Sequence, residues 1–88
     1  MILKIIKKKN VETKLFKDLV NNNFDYLNID CEGNDYKILK SIDLNYFTPR
    51  VIIIEVYQEN KDIIYNYLNI NGYQIYKVQT LSHIFVKE

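Results

Sequence analysis

The sequence predicts an α/β domain built on a mostly parallel sheet, with an antiparallel closing strand and helices on its faces. Segments with strand-like and helix-like apolar patterns alternate in the order β-α-β-α-β-α-β-β, and this alternation is typical of parallel strands joined by crossover helices. The apolar run at residues 51–54 is continuous rather than alternating, which indicates a strand buried on both faces. The last two strand-like segments are joined by a tight connection, which favours an antiparallel pair.

The first half of the chain is predicted to contain two strands and two helices. Residues 2–8 are rich in β-formers but carry several lysines, which suits a short edge strand. Thr13 is an N-cap candidate for a helix over residues 14–21, where apolar side chains recur at helical spacing. Residues 24–31 form the second predicted strand, and a turn leads from it into a helix that begins at residue 34 or 35 and ends near residue 42.

The second half is predicted to contain a buried strand, a helix and a hairpin. Pro49 cannot continue the preceding helix and opens a strand over residues 50–57. Asn60 is a cap candidate for a helix that ends near residue 70, and Gly72 lies where a glycine commonly follows a helix end. The chain then closes with two short predicted strands, residues 73–79 and 83–87.

Composition and charge exclude several classes of protein. The net charge of +1 in 88 residues offers no strong field toward nucleic acid or an anionic membrane, so neither is expected as a partner. A single cysteine cannot form an internal disulfide, and no apolar run approaches the roughly 18–20 residues of a membrane span. The start of the chain lacks the features of a signal peptide. We therefore expect one cytoplasmic domain over residues 1–88.

Acidic residues stand where two predicted parallel strands end. Asp30 and Glu32 follow the strand over residues 24–31, and Glu55 ends the next strand along the chain. Ligands of open α/β sheets bind beyond the carboxyl ends of the strands, so these carboxylates mark the candidate site. Gly33 permits a sharp turn after the first strand, and Asp35 suits the start of the following helix. The one histidine, His83, is predicted to be structural rather than catalytic.

Two segments carry a resemblance to a known family. Residues 30–35, Asp-Cys-Glu-Gly-Asn-Asp, form an Asp-x-Glu-Gly-x-acid block after a strand, and residues 49–56, Pro-Arg-Val-Ile-Ile-Ile-Glu-Val, form a proline followed by a strand that ends in an acid. In this β-α-β frame the chain resembles the C-terminal half of FkbM-type methyltransferases. The resemblance extends over residues 11–88 and includes the closing strand at residues 84–86.

The resemblance implies a partial class I, Rossmann-like sheet and the activity of a transferase that uses S-adenosyl-L-methionine. Family members commonly methylate a hydroxyl of a sugar or another small molecule, so the implied acceptor is a small hydroxyl compound. Asp30 would act as a base or orienting group and Glu32 would shape the same rim, both as catalytic candidates. Gly33 would form the turn, Asp35 matches the final acid of the motif, and Glu55 matches the acid that ends the next strand.

The glycine-rich loop that would hold the cofactor has no counterpart in the sequence. Gly33 and Gly72 are its two glycines, and no Gly-x-Gly occurs, so cofactor-binding residues stay unassigned. We therefore expect a truncated methyltransferase domain, whether a gene fragment, a split-gene product or a degenerate copy. The strand over residues 24–31 would then expose an edge. That edge predicts a homo-oligomer, a complementing chain, or coverage by residues 2–8.

Two hypotheses from other classes stay open. A strand that ends in Asp-x-Glu, here Asp30 and Glu32, is also found in two-metal nucleases, where it holds paired magnesium ions. Against a nuclease, a helix follows at once and no later aspartate cluster resembles the remaining motifs, so no metal site is predicted. The other alternative is a non-catalytic interaction module or a subunit of a split enzyme, in which these acids serve only turns and helix starts.

Overall fold

The computed structural model describes residues 2–6, 25–30 and 35–87. The helix predicted over residues 14–21 and the turn through Glu32 and Gly33 lie outside these described residues. None of the described helices is long and apolar enough to cross a membrane. The strands are β1 (Ile2–Ile6), β2 (Tyr26–Asp30), β3 (Val51–Glu55), β4 (Tyr73–Gln79) and β5 (Ser82–Lys87). The helices are α1 (Asp35–Ser41) and α2 (Lys61–Ile70), with a 3₁₀ turn over Gln58–Asn60 before α2.

The sheet is mixed, and the prediction of a mostly parallel sheet is wrong. Its strand order within the described residues is β1-β2-β3-β5-β4. The pairs β1–β2 and β2–β3 are parallel, whereas β3–β5 and β4–β5 are antiparallel. The short connection between β4 and β5 makes these two strands antiparallel, as predicted. The return strand β5 then lies between β3 and β4, so it contributes antiparallel pairs on both of its sides.

The edge of β2 is covered by β1. The two strands pair in parallel from Ile2 beside Tyr26 to Ile6 beside Asp30. The prediction of an exposed edge on the strand over residues 24–31 is therefore wrong, and the third alternative, coverage by residues 2–8, describes the pairing. The expectation of a homo-oligomer or a complementing chain stays a prediction. A second copy or a complementing chain would pair with the edge of β1, because β1 is the outermost strand on this side of the described sheet.

The register of the strands places the described core on one face of the sheet. Leu27, Ile52 and Phe85 are lateral neighbours on β2, β3 and β5, and all three are fully buried. Apolar side chains of α1 and α2 belong to the same cluster, so both described helices cover this face. On β3 the side chains of the opposite face, such as Ile53, are only half-buried. The expectation of complete burial on both faces of β3 is therefore wrong among the described residues. The buried apolar cluster comprises Leu27, Ile29, Ile38, Leu39, Ile42, Leu44, Phe47, Ile52, Ile54, Val56, Ile64, Leu68, Tyr73 and Phe85.

The helix boundaries follow local chemistry. α1 begins at Asp35, where a carboxylate suits the positive end of the helix dipole. Asn60 precedes α2 as predicted, but its side chain does not cap α2; Asn60 Oδ1 accepts the backbone N–H of Tyr57 at 2.9 Å. Gly72 follows the end of α2 with a φ of +89°, so the predicted role of this glycine is confirmed.

The buried histidine joins α2 to the sheet. His83 on β5 is 7% exposed and lies beside Ile54 of β3. Its Nδ1 lies 2.6 Å from the Tyr65 hydroxyl of α2. Burial, followed by the positive charge of Lys61, lowers the pKa of His83 below 6.5. Burial also raises the pKa of Tyr65, so its hydroxyl stays protonated. This hydroxyl donates a hydrogen bond to Nδ1 of the neutral imidazole. His83 is thus placed as a packed structural residue.

Substitution of Gly72 by alanine is expected to lower the free energy of unfolding by about 1 kcal/mol, because an L-residue is disfavoured at positive φ. The added Cβ would meet only Lys87 Cε at 3.8 Å, an ordinary contact, so the loss reports backbone conformation alone. Urea unfolding followed by circular dichroism measures it. Gly72→Asn is the matched control with a smaller loss, since asparagine tolerates this region better. Equal losses in both variants would contradict the conformational explanation.

Acidification is expected to destabilise the protein through His83. Because the folded-state pKa lies below 6.5, this contribution to stability is complete above pH 6.5 and is lost as the pH falls through the folded-state pKa. Urea unfolding between about pH 7.5 and about pH 5 should show a falling free energy of unfolding. In His83→Gln the fall should be weaker, whatever the baseline stability of that variant. Parallel pH profiles for the two proteins would refute this assignment.

Candidate functional site

Two carboxyl groups meet where the parallel strands β2 and β3 end. Asp30 is the last residue of β2 and Glu55 the last residue of β3. The parallel register pairs Ile29 with Ile54, so the next residues of the two strands lie side by side. Because Ile29 and Ile54 point into the core, strand alternation puts both acids on the opposite face of the sheet. Their side chains are close enough that the hydrogen-bonding capacity and the negative charge of Asp30 raise the pKa of Glu55.

The closeness of these two acids is unfavourable when both are ionised. Glu55 Oε1 is buried, and no hydrogen-bond donor among the described residues reaches it. An ionised carboxylate has no hydrogen to donate, so two ionised side chains would only repel each other. A proton on one of them turns the contact into a hydrogen bond. The arrangement therefore makes protonation of Glu55 more favourable than it would be in an isolated side chain.

The surroundings of Glu55 raise its pKa above the ordinary value of a glutamate. Burial is the largest cause that raises its pKa above 4.5, and the hydrogen-bond contact and negative charge of Asp30 raise it further. The negative charge of Asp35 acts in the same direction. A hydrogen bond from the Tyr57 side chain opposes these effects because it stabilises the ionised form. The net direction is upward, so Glu55 takes up a proton more readily than an exposed glutamate does.

Asp35 contributes charge to the site rather than a direct contact with Glu55. It is the first residue of α1 and is fully buried, and it makes interactions of its own within the fold. Its role as a helix-start residue is confirmed. The negative charge of its carboxylate raises the pKa of Glu55. The residue at the start of α1 therefore influences the acid at the end of β3.

Of the predicted site residues, Asp30 and Glu55 are brought into contact and Asp35 acts on them at a distance. The other two, Glu32 and Gly33, lie outside the described residues, as does Cys31. Sequence reasoning missed Tyr57, although its position two residues after Glu55 on an extended strand end was a usable signal. It also missed Ser82, which pairs with Glu55 across β3 and β5. Nothing in the sequence signals that pairing, because it depends on the strand order.

The pair can donate one hydrogen bond and accept several. Glu55 with its proton is a donor, and the carboxylate of Asp30 is an acceptor. Such a pair suits a hydroxyl group, which needs both a donor and an acceptor. Within the described part of the chain, no three acid, histidine or cysteine side chains form a group that could hold a metal ion. The residues also do not fit a cradle for an adenosyl cofactor, since the sequence has no Gly-x-Gly turn.

Comparison with known proteins identifies one family. A family model described as the methyltransferase FkbM domain matches residues 2–75. This match begins before the resemblance over residues 11–88 and ends before β5, so the likeness at residues 84–86 lies outside it. No significant match was found among curated proteins or among solved structures. The position of this chain within the C-terminal half of the domain stays a prediction.

Glu55→Gln is expected to stabilise the protein at neutral pH by about 1 kcal/mol, because the amide supplies the missing donor without a proton. Glu55 has a pKa above 4.5 in the folded state, so its contribution to stability is complete below pH 4.5 and is lost as the pH rises through the folded-state value. The gain of Glu55→Gln should therefore shrink toward acid pH. Urea unfolding at several pH values measures it, and a His83→Gln background removes the opposite pH dependence of the histidine.

Glu59→Gln is the matched control for this prediction. Glu59 is exposed in the 3₁₀ turn, and its substitution makes the same carboxyl-to-amide change without touching the pair. We expect a change of less than about 0.5 kcal/mol with no dependence on pH. A stabilisation of the same size in Glu55→Gln and Glu59→Gln would indicate a general charge effect and would rule out a specific carboxyl pair.

Proposed function

Because the chain belongs to the FkbM methyltransferase family, we propose that it forms the acceptor-binding part of an O-methyltransferase that depends on S-adenosyl-L-methionine. The acceptor is a sugar or another small hydroxyl compound. The observation that carries this proposal is the contact between Asp30 and Glu55 at the carboxyl ends of two parallel strands. This is the edge at which open α/β sheets bind their ligands.

The two acids have different roles at the acceptor. Glu55 in its protonated form donates a hydrogen bond to the acceptor oxygen, which fixes the orientation of the hydroxyl. Asp30 accepts the hydrogen of that hydroxyl and takes its proton when the oxygen forms a new bond. The negative charge of Asp35 raises the pKa of Glu55 and so favours this protonated form. An acceptor hydroxyl between the acids would give a hydrogen bond to Glu55 Oε1, which no described residue reaches.

The methyl group comes from S-adenosyl-L-methionine, the cofactor that the family uses. The residues present do not fit its adenosyl portion, because the glycine turn that would cradle it has no counterpart in the sequence. We therefore place the glycine-rich loop on another polypeptide or in sequence outside these 88 residues. A complementing chain or a second copy would add that part beside β1, the outermost strand next to β2. In this arrangement the present chain is one part of a split or truncated enzyme.

The same missing glycine turn favours a second candidate function, that of a non-catalytic interaction module. In such a module the carboxyl pair would be an inherited feature without a ligand. The two candidates differ in what they predict for Asp30 and Glu55. The enzyme part requires the carboxylate of Asp30 and a hydrogen-bond donor at position 55, whereas the module tolerates replacement of Asp30 by an amide.

Methyl transfer tests the proposal. The full chain is assayed alone and together with a polypeptide that carries the glycine-rich loop of an FkbM-family protein, with labelled S-adenosyl-L-methionine and a panel of monosaccharides. We expect transfer in the complemented sample. Asp30→Asn should reduce the rate by about 100-fold or more, because it removes the proton acceptor. Glu55→Gln should have a smaller effect, since the amide still donates a hydrogen bond.

Glu59→Gln serves again as the charge-matched control and should transfer at the rate of the wild-type chain. Carbon NMR of the Asp and Glu carboxyls gives an independent readout that does not need turnover. Monosaccharides should shift the signals of Asp30 and Glu55 in the full chain. Unchanged carboxyl signals, together with no transfer in the complemented sample, would reject the enzyme part and leave the interaction module.

A further inference from the structure

The β4–β5 hairpin turns at the same edge of the sheet as the carboxyl pair. Gln79 pairs with Ser82, so Thr80 and Leu81 form a two-residue turn. Leu81 accepts the backbone N–H of Val56 at 2.9 Å. This hydrogen bond ties the turn to the residue that directly follows Glu55. The hairpin therefore borders the site formed by the ends of β2 and β3.

Ser82 completes a row of polar side chains on one face of this edge. In the antiparallel pairing of β3 and β5 it lies directly beside Glu55. Its neighbour His83 points into the core, so Ser82 points to the opposite face, the face of Asp30 and Glu55. Directly paired positions have Cβ atoms about 4.5–5.5 Å apart. Asp30, Glu55 and Ser82 thus follow one another across three adjacent strands.

The hydroxyl of Ser82 is available to a ligand. In the part of the chain that the structure describes, it takes part in no hydrogen bond with another residue. The side chain is half-buried, so a small molecule at the carboxyl pair would replace the water around it. A serine hydroxyl both donates and accepts, which matches the needs of a second hydroxyl on the same molecule.

The hairpin turn holds Ser82 in place. Thr80 has a φ of +52°, an uncommon conformation for a β-branched residue. Its hydroxyl donates to the backbone oxygen of Gln79 at 2.6 Å. Strained backbone of this kind persists only where the surrounding structure holds it. The turn is therefore locked between Gln79 and the Val56 contact, which sets the start of β5 beside Glu55.

We propose that Ser82 binds a second hydroxyl of the acceptor, adjacent to the one held by Asp30 and Glu55, so that the site selects compounds with two neighbouring hydroxyl groups. This inference rests on the proposed function, because it assumes that the carboxyl pair holds the first hydroxyl. A compound with a single hydroxyl satisfies the two acids and leaves Ser82 to water. The diol gains one further hydrogen bond at the same site.

A pair of matched probes tests this selection. Trans-1,2-cyclohexanediol and cyclohexanol share the same ring and differ in one hydroxyl. Each is titrated into the full chain while the carboxyl carbon signals of Asp30 and Glu55 are followed by NMR. We expect the diol to bind about fivefold more tightly than the mono-alcohol, the effect of one net hydrogen bond. Ser82→Ala should bind the two probes equally, and Ser82→Thr, which keeps the hydroxyl, should restore the preference.

Gln79→Ala is the control on the neighbouring strand, since Gln79 pairs with Ser82 but lies one strand further from Glu55. It should keep the preference of the wild-type chain. Equal binding of both probes to the wild-type chain, or a preference that survives in Ser82→Ala, overturns the role of Ser82 and leaves the proposed function standing. If neither probe moves the two carboxyl signals, the role of Ser82 is overturned, and the proposed function is then decided by the monosaccharide titration and the transfer assay.

Discussion

The parallel register of β2 against β3 is the constraint on which the candidate site depends. It places Ile29 beside Ile54 in the core and therefore places Asp30 beside Glu55 on the other face. A shift of one residue would send the two acids toward the core and the isoleucines away from it. The apolar face therefore secures the register, and the register brings the carboxyl pair together. Fold and site are two consequences of the same alignment.

The two faces of the sheet contribute to stability with opposite sign. On the helix face, side chains such as Ile52, Leu68 and Phe85 are fully buried in one cluster, which stabilises the fold through apolar burial. On the other face, Glu55 has a buried oxygen that no donor among the described residues reaches, which destabilises the fold. Proteins commonly retain such unfavourable polar groups where function requires them. Apolar burial on the helix face thus offsets the unfavourable burial of the Glu55 oxygen on the other face.

Local features of the sequence predicted most elements but not their arrangement. The apolar run at residues 51–54, the glycine at 72 and the closing hairpin are recognisable from neighbouring residues, and the structure contains each of them. The mostly parallel sheet was a wrong expectation, because β5 returns between β3 and β4. The prediction that the edge of β2 is exposed was wrong for the same kind of reason, since β1, which is distant in sequence, pairs with β2. Strand order is a non-local property, and one sequence gives few signals of it.

For the candidate site too, the sequence determined the chemical groups and the tertiary structure determined their arrangement. The sequence by itself determined the kinds of chemical group, because acids at the ends of predicted strands mark the ligand edge of an α/β sheet. It also determined the family, through motifs that are short and contiguous. Only the tertiary structure decided that Asp30 and Glu55 touch, that Asp35 acts on them by charge, and that Ser82 stands in the same row. The physical reason is that strand and helix preferences arise from neighbouring residues, whereas contacts between strands arise from a register that the whole core selects.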